Sequence, residues 1–159
     1  MGNNLIIKRN SKGRGVYTGR VFKKGEVICK VTGKVKSWKE MIISFDKYSY
    51  IMHPLQIGPK KYFELDVPYI FLNHSCSPNA GIKGETTLFA IRDIKKGEEI
   101  TFDYSTTIDE SFVCKCGSKN CRGAVSDFFA LPKKTQKFYI KRKAVPEFIL
   151  KKYKKCCGK

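Results

Sequence analysis

The chain has 159 residues, 42% hydrophobic and 29% charged, which fits one globular domain with its own core and excludes a disordered or collagen-like chain. Its 32 Lys and Arg against 14 Asp and Glu give a net charge of +18, and no apolar run approaches the roughly 18 residues of a membrane span. The opening Met1 to Lys8 lacks a long apolar stretch, so no secretory signal is expected, and Ile6 stands where a myristoylation motif wants Ser or Thr.

In chain order, Leu5-Ile6-Ile7 is the first strand candidate. Ser11-Lys12-Gly13-Arg14-Gly15 reads as a turn, because two nearby glycines permit positive φ and close backbone approach. Val16-Tyr17 and Arg20-Val21-Phe22 follow as extended pieces. Lys23-Lys24-Gly25-Glu26 then turns the chain into the strand Val27 to Val31, which Gly33 ends. A helical turn is expected around Trp38 to Met41. Tyr48 to Ile51 and Tyr62 to Leu65 read as strands separated by Gly58-Pro59. Asn73 to Pro78 reads as irregular, since Asn, Ser and Pro favour local turns. Thr86 to Ile91 is a strand, and Lys95-Lys96-Gly97-Glu98 repeats the earlier turn type. Glu99 to Tyr104 is a strand with Ile100, Phe102 and Tyr104 on one face. After Gly123 the pattern changes: Phe138, Ile140, Val145, Phe148, Ile149, Leu150 and Tyr153 amid lysines predict two helices broken at Pro146. Short strands followed by a helical end argue for a mainly β fold with helical additions. They argue against a βαβ alternation, so the Gly13-x-Gly15 pair is weak ground for a nucleotide fold.

From Leu131 to Lys159 there are 11 basic residues and one acid, Glu147, so this end alone carries +10 and the first 130 residues +8. Such a run is an electrostatic footprint for DNA or another polyanion. It reads equally as a solvated, lysine-rich helical surface. The seven cysteines are an odd number without a secretory signal, which argues against a disulfide framework. Cys114, Cys116 and Cys121 crowd into one loop around Gly117. Three thiolates so placed call for a tetrahedral metal with a fourth ligand from elsewhere, and Cys29, Cys76, Cys156, Cys157, His53 and His74 are the candidates. Asn73-His74-Ser75-Cys76-Ser77-Pro78-Asn79 is the densest polar stretch behind an apolar lead-in. Alone, it reads as a turn with a satisfied histidine, with a Cys76–His74 nucleophile as a weak alternative. Tyr104 alone reads as core.

Together these segments resemble the SET-domain protein lysine methyltransferases. Gly13-Arg14-Gly15 is similar to the family's first cofactor motif, the string Asn73 to Asn79 to its most distinctive one, and Gly97 to Tyr104 to the strand carrying its catalytic tyrosine. Cys114, Cys116 and Cys121 with Arg122-Gly123 resemble its post-SET zinc segment. The resemblance implies a SET-type β-clip fold of small curved sheets with a pseudoknot, mainly β with short helices, plus a C-terminal helical basic tail. It divides the chain into a SET domain (1–108), a post-SET zinc-binding segment (109–125) and a basic helical extension (126–159). It implies an S-adenosylmethionine-dependent protein-lysine N-methyltransferase. Lys12, Gly13, Arg14, Gly15, Tyr50, Asn73, His74 and Tyr104 would bind the cofactor, and Tyr104 with Phe102 would form the catalytic pair. Zinc would sit on Cys76, Cys114, Cys116 and Cys121.

Phe102 stands where relatives have Phe or Tyr, which favours di- or trimethylation. Val31-Thr32-Gly33 departs from the Tyr-x-Gly string of many relatives, so one channel hydroxyl is missing. The expected substrate is a protein lysine, a histone first. Residues 131–159 would contact DNA or nucleosomes non-specifically, acidic Glu64, Asp66 and Glu85 would line a peptide groove, and the setting would be the nucleus or chromatin. No membrane partner is expected. The alternatives are a non-histone methyltransferase of a bacterium or virus, acting in the host nucleus, and a weakly active SET-like module that binds chromatin or nucleic acid.

Overall fold

Turn chemistry explains how the short strands pair. In the computed structural model, which describes residues 4–11, 13–41 and 54–157, β1 (Leu5–Asn10) and β2 (Gly13–Thr18) pair antiparallel, from Leu5 opposite Thr18 to Asn10 opposite Gly13. Gly13 has φ of 117°, a region closed to most side chains. The turn is therefore shorter than expected, and Gly13, Arg14 and Gly15 belong to the strand.

The two Lys-Lys-Gly-Glu turns are built alike. Gly25 and Gly97 have φ of 88° and 81°, which suits the third position of a type II turn. In each turn the glutamate side chain reaches back to the first lysine's N–H: Lys23 donates to Glu26 at 2.9 Å and Lys95 to Glu98 at 3.0 Å. Phe22 and Ile94, just ahead of the two turns, exchange backbone bonds of 3.0 and 2.9 Å. Arg20 and Val21 lie outside the strands, and Phe22 contributes only this isolated bridge.

Two three-stranded antiparallel sheets follow. One orders β3 (Val27–Lys30), β9 (Thr87–Ala90) and β8 (Ala80–Lys83). The other orders β4 (Gly33–Lys36), β6 (Lys61–Leu65) and β5 (Leu55–Gly58). Residues 38–41 are helical, as their sequence predicts; the strand expected at 48–51 lies outside the described residues. Val16, Val31, Leu55, Ile57, Leu72, Ile82, Leu88, Ile100 and Phe102 form the main core between the sheets.

Two expectations are corrected where chain segments cross. Asn73–His74 is not irregular but a short strand, β7, running parallel to β10 (Thr101–Phe102), with Asn73 opposite Thr101 and His74 opposite Phe102. The strand expected from Glu99 to Tyr104 is only β10, and Tyr104 opens a 3-10 turn (Tyr104–Thr106). The Asp103 carboxylate causes the change, because it accepts the Ser105 N–H at 3.1 Å and caps that turn.

Beyond it, β11 (Phe112–Val113) and β12 (Ala124–Val125) close antiparallel around the cysteine loop. The C-terminal helices are α1 (Lys133–Lys141) and α2 (Glu147–Cys157), joined through a buried Val145. Their apolar faces are not solvated. Tyr139, Ala144, Val145 and Ile149 pack with Phe89, Ile91, Phe128 and Leu131 in a second core behind β9. Phe138 is 39% exposed, whereas its neighbour Tyr139, which the sequence pattern does not single out, is 2% exposed. Close docking there depends on Gly81, where an added Cβ would lie 2.7 Å from the Ala144 Cβ.

Candidate functional site

The parallel pair β7–β10 gathers most of the residues that the sequence nominates. Tyr104 donates its hydroxyl to the Leu72 carbonyl at 2.6 Å, and its backbone N–H donates to His74 Nδ1 at 3.2 Å. Its ring lies 5.4 Å from the His74 ring and 5.0 Å from that of Phe102. Burial, then the negative charge of Glu99, push the Tyr104 hydroxyl well above the ordinary tyrosine range, so it stays a phenol at neutral pH. On the other side of β7, the Asn73 amide donates to the Arg14 carbonyl at 3.0 Å and to Glu99 Oε1 at 2.7 Å. Asn10 donates to the same Glu99 oxygen at 3.2 Å. Gly15 makes this approach possible, because a Cβ there would overlap the Glu99 carboxylate.

The structure thus brings Gly13, Arg14, Gly15, Asn73, His74, Phe102 and Tyr104 into one region spanning β2, β7 and β10. Gly13 has no heavy atom within 4 Å of an added Cβ, leaving its side of the backbone open. Arg14 lays its guanidinium 4.0 Å from the Phe71 ring centroid. Lys12, Tyr50 and His53 lie outside the described residues. Val31, the departure from the expected Tyr-x-Gly string, is 3% exposed and belongs to the main core. Of the acidic residues expected to line a peptide groove, Glu64 is paired with Lys36 at 2.7 Å and Asp66 accepts from Thr32 at 2.8 Å. Glu85 instead lines a groove of about 700 Å³ beside Lys61, Lys151, Lys152 and Lys155.

The cysteine loop meets the same strand. His74, Cys76, Cys114 and Cys116 hold their ligand atoms within 4.8 Å of one another. Cys76 Sγ lies 3.7 Å from Cys114 Sγ and accepts the Arg122 N–H at 3.4 Å. Cys121 is exposed; its thiol points at the Cys114 carbonyl at 3.7 Å and hydrogen-bonds the Cys114 thiol. His74 Nε2 sits 3.3 Å from Cys76 Sγ. Since Nδ1 accepts from Tyr104, a neutral His74 carries its proton on Nε2 and turns a donor, not a lone pair, toward the sulfur. Burial works against a Cys116 thiolate, but hydrogen bonds from the Ser118 hydroxyl and from the backbone of Cys76 and Ser118 outweigh it and lower the thiol to about 6. Burial pushes Cys76 and Cys114 up, which is the unfavourable crowding that a divalent cation relieves. Cysteines converging from two chain segments fit zinc, whose binding would deprotonate them. Among the other candidates for a fourth ligand, Cys29 is in the main core region with its thiol pushed by burial to about 11, and Cys156 is exposed on α2.

Three buried or half-buried polar residues were not assigned roles by the sequence pattern. Asp103, with a fully buried side chain, accepts from Arg122 Nη2 and from the Tyr139 hydroxyl, each at 2.8 Å. Asn79 donates to Glu98 Oε1 at 3.1 Å and to the Glu99 carbonyl at 2.7 Å, and accepts the Thr101 N–H at 2.9 Å. Glu99 is the shared acceptor of Asn10 and Asn73. Strand alternation sends Asp103 to solvent, and its partners Arg122 and Tyr139 lie 19 and 36 residues away, beyond the reach of any local pattern.

Residues 13–105 match the SET domain family. The chain is 35% identical over 137 residues to a variant-silencing SET domain-containing protein of Plasmodium falciparum, covering 74% of this chain and 5% of that protein. It is 30% identical over 143 residues to the human histone-lysine N-methyltransferase, H3 lysine-36 specific, covering 74% of this chain and 5% of that protein. It is 29% identical over 140 residues to the Arabidopsis thaliana histone-lysine N-methyltransferase ATX2, covering 76% and 13%. The chain therefore spans a small fraction of these relatives' lengths. Among solved structures, the methyltransferase domain of human SETMAR superposes with a TM-score of 0.57 at 23% identity, covering 74% of this chain and 55% of that one. KRYPTONITE in complex with mCHH DNA, an H3(1–15) peptide and SAH does so with a TM-score of 0.58 at 23% identity, covering 77% and 29%. These two likenesses are of fold. Among the described residues, no helix is long and apolar enough to cross a membrane.

Proposed function

We propose, because this chain belongs to the SET-domain family, that it is an S-adenosylmethionine-dependent protein-lysine N-methyltransferase. The observation that carries the reading is the meeting of Asn73, His74 and Tyr104 at the β7–β10 crossing, with the Tyr104 hydroxyl tied to the Leu72 carbonyl. When bound, the cofactor supplies a sulfonium methyl group to a neutral lysine amine. The backbone at Gly13 to Gly15, open at Gly13, with Lys12, Tyr50, Asn73, His74 and Tyr104, would hold it. Tyr104 is not the base in this scheme, because burial keeps it protonated and its proton is committed to Leu72. Its oxygen lone pairs stay available to accept from the amine N–H and orient it. The aromatic faces of Tyr104 and Phe102 desolvate an ammonium, which lowers the lysine pKa toward neutrality. Phe102 brings no hydroxyl to the site, and that favours di- or trimethylation over monomethylation.

Zinc would be held by Cys76, Cys114, Cys116 and Cys121, with His74 donating to the Cys76 sulfur from outside the ligand set. The metal would pin the loop of residues 114–123 against β7.

The substrate we propose is a histone lysine, acted on in the nucleus. The three curated relatives compared above include two named as histone-lysine methyltransferases, which supports this choice. A protein of charge +18 repels a basic histone tail, so contact with nucleosomal DNA through exposed lysines of residues 131–159 would bring the enzyme to its target. The test is transfer of labelled methyl from S-adenosylmethionine to histones, nucleosomes and a cell lysate. Label on a histone lysine that disappears with Tyr104→Phe is the expected result. Label in the lysate alone would keep the chemistry and discard the histone. No label from folded, zinc-loaded protein would refute the enzyme and favour a chromatin-binding module.

A further inference from the structure

The carboxylate of Asp103 precedes Tyr104 and is fully buried, yet it is held from three directions. Arg122 Nη2 reaches Oδ1 at 2.8 Å from the cysteine segment. The Ser105 N–H reaches the same oxygen at 3.1 Å and closes the turn that starts at Tyr104. The Tyr139 hydroxyl, from α1, donates to Oδ2 at 2.8 Å, and among the described residues it is the donor that Oδ2 has. Tyr139 cannot swing away, because it is 2% exposed and packed in the core that Phe89, Ile91 and Val145 form. Burial, then the Asp103 charge and the bond to it, keep Tyr139 protonated far above ordinary tyrosine. Its hydroxyl is therefore a donor at any physiological pH.

We propose that Tyr139 is a positioning residue for methyl transfer: through Asp103 it fixes the turn that presents Tyr104, so α1 completes the site. This rests on Tyr104 being the catalytic tyrosine. A buried carboxylate that loses one donor turns to find another. Asp103 caps the Tyr104–Thr106 turn, so its rotation changes the backbone angles that Tyr104 depends on. Tyr104 has little slack, since both its N–H and its hydroxyl are spoken for by His74 and Leu72. Orientation errors of this kind lower the rate of a positioned reaction without weakening ground-state binding.

The experiment is steady-state kinetics on the full, zinc-loaded chain with Tyr139→Phe, which keeps the ring and removes only the hydroxyl. The expected result is a kcat lower by roughly 10- to 100-fold, with the KM for the protein substrate and the zinc content near wild type. Any residual transfer that Tyr104→Phe leaves should not fall further when Tyr139→Phe is added. A purely structural role predicts otherwise, namely loss in both backgrounds in step with the folded fraction. Wild-type kcat in Tyr139→Phe, beside an inactive Tyr104→Phe, would overturn the positioning role alone. A fully active Tyr104→Phe would instead overturn the catalytic reading on which it rests. Should Tyr139→Phe fail to fold, 3-fluorotyrosine at position 139 keeps the shape and changes the acidity of the hydroxyl. An altered kcat then supports the role, and an unaltered one overturns it.

Discussion

Replacing Asn79 with alanine should cost about 3–5 kcal/mol of stability, although the residue touches no proposed ligand. The side chain is 1% exposed and straps the start of β8 to the segment that enters β10. Its amide donates to the Glu99 carbonyl at 2.7 Å and to Glu98 Oε1 at 3.1 Å, and its oxygen accepts the Thr101 N–H at 2.9 Å. Alanine leaves the Glu99 carbonyl and the Thr101 N–H without this partner in a dry interior. Each stranded backbone group costs about 1–2 kcal/mol, and the bond to the Glu98 carboxylate adds about 1. The assay is urea unfolding of zinc-saturated wild type and variant. With a slope of about 2 kcal/mol/M, the midpoint should fall by roughly 1.5–2.5 M. Asn79→Asp retains the acceptor for Thr101 but sets a carboxylate against Glu98 and the Glu99 carbonyl, so it should do no better. A loss below about 1 kcal/mol for Asn79→Ala would mean that water takes over these bonds. The strap between β8 and β10 would then be no strap.

Cys121→Ser, or chelation of the wild type, should lower bound zinc from about one per chain and raise amide exchange across residues 109–125; metal analysis and exchange read both. Undiminished zinc in the variant would remove Cys121 from the ligand set. Gly81→Ala drives a Cβ to 2.7 Å from the Ala144 Cβ and 3.2 Å from Ile91 Cγ2, and overpacking of that kind costs about 1–3 kcal/mol. Exchange should rise first in α1 and α2, and an unchanged melt would refute tight docking there. Burial raises the Glu98 carboxyl, but Arg92, the Lys95 N–H and Asn79 outweigh it and hold it below the ordinary value of 4.5. Its contribution is therefore full above that pH and lost as pH falls through the lower folded value. The stability gap between wild type and Glu98→Gln should narrow below about pH 4.5 in denaturation curves; a widening gap would contradict the sign.

Glycine and charge made the turns readable. Lys-Lys-Gly-Glu states a turn twice, and both copies close with the glutamate on the first lysine's N–H. The C-terminal helices were equally legible from lysine-spaced apolar residues, although Tyr139 was not among them: spacing along a helix cannot say which of two adjacent rings meets a hydroxyl acceptor. What the chain hides is long-range pairing. Asn73 and His74 look like turn formers because their side chains compete for backbone groups, yet Thr101 and Phe102 supply a parallel partner 28 residues on. The same segment shows how a resemblance and a physical reading differ. The motif from Asn73 to Asn79 nominated ligands, but the structural work of Asn79 and the tautomer of His74 follow from bonds to Thr101 and Tyr104 that no spacing contains. Asp103 is the clearest case, since its neighbours Phe102 and Tyr104 argued for a strand that its own carboxylate ends.

The basic end of the chain joins these observations into one mechanical consequence. A lysine-rich extension on a flexible tether would let a polyanion sit at many distances from the catalytic residues. The helices here are amphipathic and committed. Tyr139, Val145 and Ile149 are buried against Phe89 and Ile91, while Lys133, Lys134, Lys137, Lys151, Lys154 and Lys155 face outward. Glu147 is also fastened by its N–H to the Gly84 carbonyl at 2.9 Å. A polyanion gripped by those lysines would therefore be held by helices that pack on Phe89 and Ile91 and reach Asp103, next to Tyr104, through Tyr139. On the proposed reading, the distance from a DNA contact to the methylated lysine is set by packing in the second core and not by chain length. Gly81→Ala separates the two ideas: if the helices loosen, DNA affinity should persist, because the lysines remain, while methylation of nucleosomes should fall more than methylation of free histone. Equal loss on both substrates would show that the packed helices serve the site alone and give the lysines no part in placing it.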